Sequence, residues 1–469
     1  MNPVLPSIAA ACLWAAASLP ASAVPAVSGR PVPELAPLDD IMTGYMDDNG
    51  ITAGVLGLMR EGRVVYLRGF GEDFDGNPMP ENALVRVASV NKPVTAAMIR
   101  KLEDDGELAL GDAAFDLGQA GGGVLDCVGK YSPWPTLWDP NPDDLAPSPI
   151  TTITVSHLLR HRGGWDRGIA GDHIFRERQI AEDLGVVSPP GRVNTIRWIL
   201  GQPLEFTPGS QSQYSNIGYM ALSLIAEELS GQDYVSFARQ RLLTPAMWVP
   251  KTEFIQGHTF RSWQHKREPR YDDSSIVENV FDNVGSDEVK RPYGGWHQEA
   301  LIGIGGIVVS APAMLAFADR YDVGQWSPNI GEPLDEQPLT QDQGHGGALW
   351  GTSTEIYQRT DGYRIFVFLN HYTGTDHAGT VRGLVEGHLD NNYIPPIPRT
   401  ADGFWTEPSG GAGSNVGGYH QPFHSFGEMM MRTTSGSRIR LRPGSSDWTG
   451  KITERMRFDA PLGTAKVGL

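Results

Sequence analysis

Cysteine is nearly absent from the 469 residues, with Cys12 and Cys127 as its two occurrences. Because Cys12 falls in a segment expected to be removed, Cys127 is left as the only thiol. An intramolecular disulfide is then excluded, and stability must come from the core. Basic residues are also scarce, 38 Lys and Arg against 55 Asp and Glu, for a formal net charge of −17 and a pI near 5.1. Such a surface repels polyanions, so neither nucleic acid nor an anionic membrane is an expected partner. Past the first residues no run approaches the ~18–20 consecutive apolar residues of a spanning helix, so no stable membrane insertion of the mature chain is expected. No repeat of fixed period occurs. A metal-binding pattern is missing as well. His157 and His161 stand one turn apart, but no Glu follows His157 as in His-Glu-x-x-His, and no third ligand is evident. Structural roles are expected for both, with no metal and no cofactor.

Residues 1–23 combine an apolar core, a break at Pro20 and the small triplet Ala21-Ser22-Ala23, which reads as a secretory signal cut after Ala23. Export, periplasmic or secreted, is the expectation. The absence of Lys and Arg before the apolar core leaves a membrane anchor or a different start open. A large domain is expected over 24–393. The remainder, 394–469, opens with IPPIP, passes through PSGGAGSNVGG and reaches the alternating Arg438 to Arg442. It reads as a disordered tail or a small β appendage in which 438–442 is an edge strand.

Periodicity predicts a helix over Leu38 to Asp48 and a hairpin of Ala53 to Met59 with Arg63 to Gly69. Gly118 to Pro149 is a loop whose Trp134 and Trp138 could wall a site. A short helix carries Val155, Leu158 and Leu159. Phe254 to Leu301 has no sustained period. Ile307 to Val309 is a strand, and a helix starts near Ala311-Pro312. A second hairpin is expected from Leu349 to Tyr357 and Tyr363 to Leu369, opened by Gly344 to Ala348. A last helix, Asp376 to Leu389, would set Val381, Leu384 and Val385 on the sheet.

Three stretches carry chemistry. Val94, Met98 and Leu102 recur every four residues, Pro93 is tolerable only in a first turn, and Asp104-Asp105-Gly106 is a stop. The helix therefore begins near Ser89, where free N–H groups and the positive end of the helix dipole favour an oxyanion. Lys92 follows on the same face and can take a proton from the Ser89 hydroxyl. Of all the lysines it alone has a serine three residues before it. Tyr214-Ser215-Asn216 precedes a helix bearing Leu222, Ile225 and Leu229 and closed by Gly231. Near a protonated lysine, Tyr214 could have its phenol pKa lowered and act as a base, or it could pack under the helix. Asn216 can both donate to and accept from a substrate. In Gly344-His345-Gly346-Gly347-Ala348, glycines let a substrate approach a strand, and an N–H there could face the Ser89 amide.

In this order, Ser89-x-x-Lys92, Tyr214-x-Asn216 and His345-x-Gly347 resemble the serine β-lactamase and penicillin-binding-protein superfamily, with its class C-like esterase and D-peptidase branch nearest. HLLRHRGG, YSNIGYMALSLIAEELSGQDY and GIGGIVVSAPAMLAFADRY resemble the same family, and the likeness spans Leu38 to Asp390. It implies an α+β fold, an antiparallel sheet flanked by helices with a mostly helical lobe. It implies acyl transfer on Ser89, proton transfer shared by Lys92 and Tyr214, substrate contact from Asn216, His345 and Gly347, and an oxyanion held by the amides of Ser89 and Ala348. His345 stands where many relatives carry the Lys of Lys-Thr-Gly, replacing a fixed cation by a group largely neutral near pH 7. The expectation is therefore a carboxylesterase on small esters. A D-aminopeptidase or DD-carboxypeptidase, a β-lactamase, and a catalytically silent peptidoglycan-binding or sensor protein are the alternatives.

Overall fold

The structure is a computed structural model that describes residues 25–60, 62–134, 149–243, 249–282, 285 and 287–392, and beyond these 404–406, 423, 425–433, 438–441, 444–453, 455–460 and 464–468. The candidate signal at 1–23, Trp138, the IPPIP and PSGGAGSNVGG stretches and Arg442 lie outside the described residues. Among the described residues no helix is long and apolar enough to cross a membrane.

Three strands come from the N-terminal part, β1 (Val27–Ser28), β2 (Ala53–Arg60) and β3 (Arg63–Gly71). A separate sheet joins β4 (Leu84–Arg86), β5 (Phe254–Gln256) and β6 (Ile307–Ser310), with β6 in the middle. The chain then returns to the first sheet through β7 (Gln343–Leu349), β8 (Thr352–Gln358) and β9 (Tyr363–Leu369), giving the order β1-β3-β2-β9-β8-β7. Every pairing in it is antiparallel, and β9 docks on β2 with Phe366 opposite Gly57. N- and C-terminal segments thus share one sheet, and the intervening chain forms the other lobe.

Both faces of this sheet are apolar, which is why its central strands read as unbroken hydrophobic runs. Alternate residues point to opposite sides. Leu56, Leu58, Ile365 and Val367 pack with Met42 and Met46 of α1 (Pro37–Asn49). Val55, Met59, Phe366 and Phe368 belong to the larger core on the other side. That core runs into the helical lobe, whose central helices α2 (Lys92–Asp104) and α3 (Val155–Leu159) are followed by α4 (Glu177–Leu184), α5 (Gly191–Leu200) and α6 (Asn216–Ser230). After β6 comes α7 (Ala311–Arg320), with Pro312 in its first turn, and after β9 comes α8 (His377–Asn391).

Several expectations need correction. The Gly344 to Ala348 motif does not open the strand that contains Tyr357. It lies inside its own strand, β7, and the chain reverses at Trp350-Gly351 before β8. Gly351, with φ of 78°, permits that turn. On α8, Val381 and Val385 are buried but Leu384 is 46% exposed, because the sheet-facing stripe continues to Leu389 and leaves Leu384 outside it. Trp134 builds no wall of the main cavity. Its indole N–H donates to the Asp183 carbonyl at 3.0 Å, fixing the loop to the end of α4. Beyond residue 392, Arg438–Leu441 is the central rather than the edge strand of a small parallel sheet, flanked by Phe404–Thr406 and Arg457–Asp459. Ile439 and Leu441 pack there with Phe423, Phe426 and Met429.

Candidate active site

β4 leads out of the second sheet straight into the serine. Ala88 adopts φ of 47°, a left-handed conformation that an alanine holds only under constraint. The constraint is visible: a Cβ on Gly305 would meet the Ala88 backbone at 3.2 Å. A 3-10 turn over Ala88–Asn91 then runs into α2. From Ala83 to Arg100 every residue is buried except Ser89, so the packing offers one hydroxyl to the outside.

The three-residue spacing brings Lys92 Nζ within 3.0 Å of Ser89 Oγ, and the same nitrogen donates to the Ile304 carbonyl at 3.2 Å. Lys92 is fully buried. Burial holds its pKa well below the ordinary lysine range, Asp172 opposes that shift, and Arg167 adds to it. An uncharged amine at this distance has a lone pair able to take the Ser89 proton.

Tyr214 reaches the same point from the residue before the Ser215 cap of α6, with the Ser89 hydroxyl beside its phenol. Its ring lies 4.8 Å from Lys92 Nζ and 4.6 Å from the His161 ring. The lowered phenol pKa expected from a protonated lysine is not what the fold produces. Burial pushes Tyr214 up and Lys92 down, which favours the protonated phenol and the uncharged amine. Asn216 starts α6 and donates from Nδ2 to Asp172 Oδ2 at 2.6 Å.

β7 supplies the opposite wall. A Cβ on Gly347 would lie 2.3 Å from both the Val87 carbonyl oxygen and Thr354 Oγ1, and 3.2 Å from the Ser89 nitrogen. Glycine is therefore required for β7 to press against the serine turn. Thr354 clamps the contact by donating to the Val87 carbonyl at 2.7 Å. Gly347→Ala is expected to destabilise the fold by about 1–3 kcal/mol, the range for overpacking, measurable as a lower urea midpoint with an unchanged slope.

Ala348 is exposed at the cavity, whereas His345 is 1% exposed. The substrate contact expected of the His345 side chain is thus corrected. Its ring faces inward, 6.4 Å from the Tyr214 ring, and it is not part of the cavity wall. His345 Nδ1 lies 2.8 Å from the Gly346 carbonyl, which makes it the donor nitrogen. Burial and the neighbouring Lys92 push its pKa down to about 3. Period-two alternation explains the outcome, because His345 shares the inward face with Gly347. His157 and His161, the pair one turn apart, each hold a backbone N–H. His157 completes a capping box with Thr154 at the start of α3, and His161 Nδ1 accepts the Ser215 N–H at 3.1 Å.

A cavity of about 850 Å³ opens over Ser89, bordered by Tyr214, Asn216, Gly347 and Ala348. Its charged walls, Asp166, Arg167, Asp172 and Asp376, were not found from the sequence. Trp165-Asp166-Arg167-Gly168 follows HLLRHRGG directly, but nothing in its spacing says that it folds back over Tyr214.

Esterase EstB of Burkholderia gladioli is 29% identical over 210 residues, 42% of this chain and 45% of its own. The D-alanyl-D-alanine-carboxypeptidase/endopeptidase AmpH of Escherichia coli K12 is 26% identical over 238 residues, 50% of this chain and 54% of its own. The chain thus spans about half the length of the curated relatives it matches. A class C beta-lactamase superposes with a TM-score of 0.51 at 14% identity, over 77% of this chain and 97% of its own, a likeness of fold. The Beta-lactamase family profile matches residues 38–416, from α1 past the last strand of the main sheet. With the serine turn, the α6 motif and β7 converging inside that span, the chain belongs to the Beta-lactamase family.

Proposed function

We propose that the protein is a serine hydrolase that forms an acyl-enzyme on Ser89 and acts on small neutral esters. The observation that carries this is the 3.0 Å approach of a fully buried lysine amine to the one unburied residue of its segment. In the first half-reaction Ser89 Oγ bonds to the ester carbonyl carbon as its proton passes to Lys92. Tyr214 gives its proton to the departing alkoxide and is reprotonated from Lys92. The alcohol leaves, and the N–H groups of Ser89 and Ala348 hold the carbonyl oxygen as it becomes negative. Water then repeats the sequence on the acyl-serine and releases the acid, restoring every proton.

Esters are favoured by leaving-group chemistry and by the charge of the cavity. An ester oxygen departs with less help from an acid than an amide nitrogen. Three carboxylates face the cavity against one guanidinium, and His345 offers no cation, so a carboxylate-bearing substrate meets repulsion. Trp326, Trp350 and Phe175 give the rim apolar surface for an acyl chain. EstB supports this reading. The likeness to AmpH supports a second one, cleavage of D-alanyl peptides. Export, suggested by residues 1–23, is part of the proposal and is checked by cell fractionation.

The test is fluorophosphonate labelling with mapping of the adduct, beside turnover of p-nitrophenyl esters, D-alanyl p-nitroanilides and a chromogenic cephalosporin scored for ring opening. Label on Ser89 and fastest turnover of esters are expected, with a neutral ester ahead of its carboxylate-bearing analogue by at least about tenfold in kcat/KM. Folded protein that takes no label is a binding protein or sensor instead. Amide or ring-opening turnover above that of every ester would reassign the substrate.

A further inference from the structure

Besides the three motifs, the 166–172 segment reaches the reacting groups. It leaves Trp165, forms the one-turn helix Arg167–Ala170, whose Gly168 N–H donates to the Asp166 carboxylate, and brings Arg167 and Asp172 to the cavity beside Asp166. The Arg167 guanidinium carbon stands 4.5 Å from the centroid of the Tyr214 ring, so the Lys92 amine and the Arg167 guanidinium both approach that ring. Asp172 holds Nδ2 of Asn216. The other groups packed around Lys92 and Tyr214 carry no charge at neutral pH. His161 and His345 are buried and held far below their ordinary range, the Tyr219 hydroxyl donates to the Leu159 carbonyl, and Trp326 stands edge-on to Tyr214. Arg100, on the same helix as Lys92, is paired with Glu332 at 2.8 Å.

We propose that Arg167 and Asp172 form an opposed charge control on the Lys92–Tyr214 pair, Arg167 favouring the proton-accepting form and Asp172 opposing it while it fixes the Asn216 amide. Neither needs to touch substrate to act, so both are positioning residues. The proposal rests on the acyl-enzyme reading for its catalytic consequence. Electrostatics gives its sign: a guanidinium disfavours a nearby ammonium, and a carboxylate favours it. Lys92 and Tyr214 both show this pattern, lowered by Arg167 and raised by Asp172. Arg167 is exposed, so it can be replaced with little risk to folding, and its influence is screened by water and salt.

The test measures kcat/KM against pH on a neutral p-nitrophenyl ester for wild type, Arg167→Gln, Arg167→Lys and Asp172→Asn. The Lys92 Cε carbon is titrated in parallel by NMR on protein with 13C-labelled lysine. In Arg167→Gln the acid limb and the carbon titration are expected to move up by about half a pH unit, the scale for a partly screened charge. In Asp172→Asn both should move down by a similar amount. Arg167→Lys should stay near wild type, and 0.5 M salt should shrink the Arg167→Gln shift. Shifts of the same sign in the two neutralised variants, no shift in either, or a moved carbon titration with an unmoved acid limb would overturn the proposal. Absence of Ser89-dependent turnover would sink the acyl-enzyme reading, while the carbon titration would still decide the charge control.

Discussion

Ser89→Ala will abolish ester turnover, lowering kcat by about 10⁵–10⁶-fold, the scale for losing a nucleophile whose partners act as a unit. KM for the residual reaction should change little, because the cavity of about 850 Å³ keeps its other walls. Stability should shift by less than about 1 kcal/mol, the scale of one hydrogen bond. Lys92 loses Ser89 Oγ but keeps the Ile304 carbonyl, and no buried volume is emptied since Ser89 is the unburied residue of its segment. Activity loss with an unchanged thermal midpoint is the expected pair of results. An alanine variant that retained more than a few per cent of turnover would place the chemistry on another group.

The second large effect is non-additive. Lys92→Met and Tyr214→Phe should each reduce kcat by about 10³–10⁴-fold, the upper range of general acid–base contributions, and the double variant should be little worse than either single. The reason lies in the proposed mechanism: one proton moves through Ser89, Lys92 and Tyr214, so breaking any link stops the transfer. A double variant whose loss equals the product of the singles would show two separate roles. Methionine is chosen because it fills the buried space with similar volume. It carries a further expectation. Between the depressed folded value of Lys92 and 10.5, the unfolded chain binds a proton that the folded chain does not. Stability therefore rises with pH across that window and is penalised below it. Lys92→Met should remove the penalty, so the inactive variant should be the more stable at pH 7, with the difference shrinking toward pH 10. Equal pH dependence of the two urea midpoints would contradict the buried neutral amine.

The elements nearest the serine were legible because their signals are local. The four-residue period of Val94, Met98 and Leu102 places α2 correctly, and the three-residue offset of Ser89 and Lys92 becomes a 3.0 Å contact through backbone geometry alone. Gly231 was read as a helix stop and adopts φ of 64° there. The hairpin of β2 and β3 was likewise visible in two apolar runs and a short turn. The β7–β8 turn is not legible in the sequence because Trp350-Gly351 sits inside an apolar run, and Leu384 lies at the edge of the apolar stripe of α8, where a rotation of about 100° per residue turns it to solvent.

The amino-acid order by itself determined that Ser89 would head a helix with Lys92 one turn along, that Tyr214 and Asn216 would sit at the start of another, and that an antiparallel sheet would form. These outcomes depend on hydrogen bonds and side-chain contacts between residues three or four apart, or across one short turn. Only the tertiary structure decided which groups meet. It pressed β7 against the serine turn through Gly347 and Thr354, sealed His345 away from the cavity, and laid Arg167 and Asp172 beside Tyr214 and Asn216. It also lowered the pKa of Lys92, because exclusion of water disfavours the charged amine, and that exclusion comes from segments distant in sequence closing over it.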